Sequence, residues 1–140
     1  MKRMLMAGAA AFLFLTACSK SDDGPVTPSV ESISGSYKVG SVTIINGTAR
    51  QDVLSEYFDT CEKDDILQLK NDKSYANVDA GVVCNPSNAY TGTWDVLGGK
   101  IIIDGDDYTI KSYNGKQLIL SEPFTFGAVT VELETVWNKQ

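Results

Sequence analysis

Apolar and polar residues alternate along most of the chain with the period of two that marks strands buried on one face. Near the C-terminus, Val129, Val131, Leu133 and Trp137 fall on one side and Thr130, Glu132 and Glu134 on the other. Leu67 and Leu69 oppose Gln68 and Lys70, Tyr90, Trp94 and Val96 oppose Thr93 and Asp95, and Leu118 and Leu120 oppose Gln117. The runs 36–45, 66–70, 74–80, 90–96, 100–104, 107–113, 117–121 and 128–137 are separated by turn formers. Chief among these are Asn46-Gly47, Asn71-Asp72-Lys73, Gly98-Gly99, Gly105, Asn114-Gly115 and Glu122-Pro123. Turn signals every 8–12 residues or so predict an all-β, antiparallel meander of about eight strands, closed as a barrel or folded as a sandwich around one core. One segment departs from this pattern. Residues 49–58 place Val53, Leu54, Tyr57 and Phe58 at helical spacing behind Thr48 as N-cap, which predicts a short helix after the first strand, covering an open barrel end.

The N-terminus carries a different signal. Met1-Lys2-Arg3 is a short basic start, Met4–Leu15 is apolar or small throughout, and Leu15-Thr16-Ala17-Cys18 closes the run. Such a stretch is short for a bilayer span and ends in small residues, the form of an export signal over 1–17. Leu15-Thr16-Ala17-Cys18 resembles the lipobox of bacterial lipoproteins. The resemblance implies that Cys18 is lipidated and becomes the first mature residue, tethering the domain to a membrane. Durable anchoring needs more than one acyl chain, consistent with a multiply acylated cysteine. Residues 19–34 are polar, contain proline and lack period, and are expected to form a flexible tether, so that 18–34 links the anchor to a domain over 35–140. Ser21-Asp22-Asp23 resembles the acidic surface-export signal of Bacteroidetes lipoproteins, leaving the periplasmic and cell-surface faces of the outer membrane both open.

Composition narrows the chemistry. The chain has 12 basic and 18 acidic residues and a net charge of −6. Without Lys2 and Arg3 the mature form is still more acidic, a poor partner for nucleic acid or for anionic lipid surfaces. With Cys18 lipidated, Cys61 and Cys84 remain, and an oxidising compartment favours a disulfide between them. Closing that loop is worth roughly 3 kcal/mol. A metal-binding pair is the alternative, but zinc sites usually need four N or S ligands and the chain contains no histidine. That absence also removes Ser-His-Asp and Cys-His catalysis, so neither a catalytic residue nor a cofactor is expected. Glu62, Asp64 and Asp65, and the run Asp104-Gly105-Asp106-Asp107, read as solvated turns. The second has only a partial likeness to a calcium loop. Asn46-Gly47-Thr48 has the form of a glycosylation sequon but reads as a turn and cap.

Several segments bear a family likeness. They are Gly35-Ser36-Tyr37-Lys38-Val39, Cys61-Glu62-Lys63-Asp64-Asp65, Asn71-Asp72-Lys73-Ser74-Tyr75, Cys84-Asn85-Pro86 and Gly92-Thr93-Trp94-Asp95-Val96. With them the chain resembles the lipocalin-like lipoproteins common in Bacteroidetes over roughly 35–140. The resemblance implies a compact up-and-down (lipocalin-like) β-barrel and a non-enzymatic role, the binding of a small hydrophobic ligand inside the barrel. Tyr37 stands where the family has the tryptophan of Gly-x-Trp. Candidate lining residues are Tyr37, Leu67, Leu69, Trp94, Tyr108, Ile110, Leu118, Leu120, Val131 and Leu133. Short strands and bulky inward positions favour a filled interior, so an envelope structural or interaction protein with a solidly packed barrel is the alternative. Phe124 and Phe126, expected in the loop before the last strand, are its candidate contact surface.

Overall fold

The computed structural model describes residues 26–140. The export signal, Cys18 and the first part of the tether lie outside the described residues. The protein is an antiparallel β-barrel whose strands are β1 (Gly35–Asn46), β2 (Ala49–Asp52), β3 (Ile66–Leu69), β4 (Ser74–Val78), β5 (Tyr90–Leu97), β6 (Lys100–Ile103), β7 (Asp106–Tyr113), β8 (Gln117–Phe126) and β9 (Val129–Lys139). Neighbours in sequence pair along the meander and β1 closes it by pairing with β9. Eight strands make the barrel. β2 stands outside the circuit, paired only with the C-terminal end of β1.

Two bulges set which side chains face inward. In β1 the register slips between Val39 and Ser41, so Tyr37 and Val39 point in before Gly40 and Val42 and Ile44 after it. In β7 the slip between Ile110 and Ser112 leaves Lys111 outside and brings Tyr113, not Ser112, to the interior. An inserted residue switches the phase of a period-two pattern in this way.

Three expectations about the elements change. Residues 49–52 form β2 rather than helix, because Asn46 pairs with Ala49 across a two-residue turn at Gly47 and Thr48. A tight hairpin needs a second strand, and that demand outweighs the helical spacing that follows. The helix is therefore only α2 (Leu54–Tyr57), with the Asp52 carboxylate accepting from Leu54 N instead of a cap at Thr48. β8 does not stop at Glu122-Pro123 but runs on to Phe126. It pairs with β7 only as far as Ser121, so Pro123 lies where that edge is free and its missing N–H breaks no bond. Finally, the tether yields before residue 34. Val30–Ile33 form a helical turn, α1, with a capping box between Ser29 and Ser32, and Ile33 is completely buried.

α1 plugs one barrel end. The Tyr37 hydroxyl donates to Ile33 O, the Tyr113 hydroxyl donates to Ser32 O, and Lys139 Nζ lies 5.7 Å from the Tyr37 ring centre. Burial pushes the Tyr37 phenol far above its ordinary pKa, with the neighbouring Tyr113 adding to it, so it stays a donor. Above the plug, Trp94, Ile101, Leu118 and Leu120 pack with Ile33 and Tyr37, and Trp94 Nε1 donates to Lys70 O. The expected single core is in fact two. A smaller cluster of Val42, Val53 and Leu133, joined by Leu54, Phe58 and Phe124, lies under α2.

Candidate functional site

Between the two clusters the barrel is not filled. A partly open cavity of about 260 Å3 is bounded by Leu67, Tyr75 and Leu120 from the larger cluster and by Val42 and Leu133 from the smaller. No residue of α1 lines it. Of the ten candidate lining residues, Leu67, Tyr108, Leu120 and Leu133 border the cavity. Tyr37, Leu69, Trp94, Ile110 and Leu118 belong to the packed region instead. Val131 joins neither cluster and lies beside an outer groove with Pro123 and Thr130. The packed five share their cluster with Ile33 of the α1 plug, whose entry into the core is not expected of a tether over 30–33.

The residues missed by sequence reasoning are mostly polar or aromatic. Tyr57, Phe58, Tyr75, Tyr90 and Trp137 line the cavity with Glu62, Asp65, Asn77, Asn88 and Glu122. A signal for Glu122 was available, since it shares the parity of Leu118 and Leu120 along β8. The rings meet edge to face: Phe58 and Trp137 at 6.3 Å and Tyr75 and Tyr90 at 6.0 Å between centres. Phe124 also points in and meets Tyr57 edge-on, whereas Phe126 is 78% exposed; neither lies in a loop.

The cavity mouth is shaped by the segment 59–65 and by 79–89. Cys61 and Cys84 are joined by a disulfide, with Cα atoms 5.2 Å apart. Carboxylates organise the rest. Asp65, only 6% exposed, accepts from Asn77 Nδ2, Asn88 Nδ2 and Ala80 N. Asp64 accepts from Val82 N. Asp79 accepts from Ser87 Oγ, Cys84 N and Asn88 N, which hold its carboxyl below the usual aspartate range. The acidic run before β3 is thus part of the wall of the site rather than a solvated turn.

On the far side of Tyr75 from the cavity, its hydroxyl donates to the exposed Asp104, which also accepts from Thr93 N. These bonds lower the Asp104 pKa, while burial, and then the bond to Asp104, raises that of Tyr75. The β6–β7 turn at Asp104-Gly105 is therefore tied to the cavity wall through Tyr75. Gly92 leaves room for this contact, because a Cβ there would meet Asp104 Oδ1 at 2.3 Å. Glu122 has its pKa raised by burial and, secondarily, by Asp106. Among the described residues no group of three or more His, Cys, Asp or Glu side chains is placed to hold a metal ion.

A closed eight-stranded meander with a partly empty interior is the architecture of the lipocalin class. The family model described as "Lipocalin-like domain" matches residues 33–120, more than half the chain, and the protein belongs to that family. No curated protein and no solved structure matches the chain.

Proposed function

We propose that the protein is a membrane-anchored lipocalin-like lipoprotein that binds a small hydrophobic ligand inside its barrel. The cavity of about 260 Å3 is the observation that carries this reading. A barrel of eight strands is wide enough either to be filled by its own side chains or to hold one ligand. Binding sites are concave, mainly apolar, and carry a few oriented polar groups, as here. The volume lies just under the usual span of about 300–1,000 Å3, which points to a compact ligand. An unfilled interior counts against the alternative of a barrel serving only as packed scaffold. Lipocalins are typically non-enzymatic binding proteins, and a catalytic role has no histidine to draw on.

The proposed anchoring rests on Leu15-Thr16-Ala17-Cys18, and the location proposed with it is the outer membrane, on its periplasmic or cell-surface face. Two measurements test the whole reading. Native mass spectrometry of protein purified from its own envelope is expected to show a retained small molecule, absent after Leu133→Trp fills the cavity. A bare protein mass in both overturns ligand binding. Cys18→Ala is expected to shift the chain from the membrane to the soluble fraction, and continued membrane association overturns the anchor.

A further inference from the structure

We infer that the cavity selects an organic cation, a protonated amine or quaternary ammonium group carried on a short apolar body. This rests on the ligand-binding reading above and adds the charge of the ligand to it. Three carboxyl groups, Glu62, Asp65 and Glu122, reach the cavity lining, and among the described residues no Lys or Arg does. The ion pairs of the described residues lie elsewhere and involve none of the three.

Asp65 is buried against amide donors alone. Neutral donors stabilise a carboxylate without cancelling its charge, so its field extends into the cavity. Glu122 lines the cavity half-buried with Asp106 nearby, takes part in no ion pair among the described residues, and has its pKa raised by burial and then by Asp106. An anion would meet all three carboxyl groups at close quarters. A neutral apolar guest would bury them further with nothing opposite. A cation relieves both costs.

The walls suit the same guest. Aromatic faces carry negative quadrupole charge and attract cations within about 6 Å of the ring centre, most strongly where water is excluded. Tyr57, Phe58, Tyr75, Tyr90, Tyr108 and Trp137 all border the cavity. Burial, followed by neighbouring carboxylates, raises the pKa of the Tyr90 and Tyr108 phenols, so these rings stay neutral and add no competing charge of their own. Leu67, Leu120 and Leu133 leave an apolar floor for the body of the ligand.

Titration of the full-length chain with hexylammonium, 1-hexanol and hexanoate, followed by amide NMR, tests this, since the probes share a chain and differ in head group. Hexylammonium is expected to bind at least tenfold more tightly than 1-hexanol, with hexanoate weakest. Glu122→Gln and Glu62→Gln are each expected to weaken hexylammonium at least threefold and to narrow its margin over 1-hexanol, and an unchanged margin in both overturns the charge preference. If 1-hexanol or hexanoate binds as tightly as the cation, the charge preference is overturned while ligand binding stands. If none of the three perturbs signals from Tyr90, Leu120 or Trp137, both readings fall together.

Discussion

Replacing both Cys61 and Cys84 with alanine separates the covalent link from the polar network that holds the same mouth. The disulfide spans a sequence separation of 23. In the chain-entropy model a loop of that length removes about 3.4 kcal/mol of conformational freedom from the unfolded chain at 25 °C. For a domain of this size that corresponds to a fall in Tm of roughly 14 °C. The native mouth is expected to keep its shape, because the hydrogen bonds of Asp64, Asp65 and Asp79 do not involve sulfur. Urea unfolding followed by the fluorescence of Trp94 and Trp137 gives both the free energy and its denaturant slope. A cross-link that acts through the unfolded chain predicts a steeper slope once it is removed, since the open chain exposes more surface. A loss below about 1 kcal/mol with an unchanged slope refutes this reasoning and assigns the stability of the mouth to the carboxylate network.

Two further perturbations probe the ends of the barrel. Ile33→Ala empties a fully buried site at the α1 plug and is expected to cost about 2–5 kcal/mol in chemical denaturation; a change within about 0.5 kcal/mol returns residues 30–33 to the tether. Glu122→Gln is expected to raise Tm at pH 7. A carboxyl whose pKa is higher in the folded than in the unfolded protein costs stability while it is ionised, and that cost disappears as pH falls below the unfolded value. Thermal melts of the two proteins are therefore expected to converge below about pH 4. A gain that persists at pH 3, or a loss at pH 7, contradicts the assignment.

The pattern of the sequence reached the fold because a meander is built from local instructions. Asn114-Gly115 and Gly98-Gly99 make turns, the runs between them alternate, and pairing of consecutive strands follows. The cysteine pairing was also legible, since only two cysteines remained beyond Cys18. The site was harder to read. Apolar residues at inward positions are the natural candidates for a lining, yet the most hydrophobic of them, such as Trp94 and Leu118, are the ones that pack solidly. Those that leave space are interleaved with Glu122, Asp65 and tyrosines, which a search for apolar faces passes over.

By itself the sequence determined the strand content, most of the turns, the inward parity of each uninterrupted run and the absence of imidazole chemistry. These depend on a residue and its near neighbours. Only the tertiary structure decided that Ile33 enters the core, that bulges at Gly40 and Lys111 reverse the parity, and that the interior divides into two clusters with a space between. Closure is the reason: when β1 meets β9, both the register and the volume left inside depend on residues a hundred positions apart.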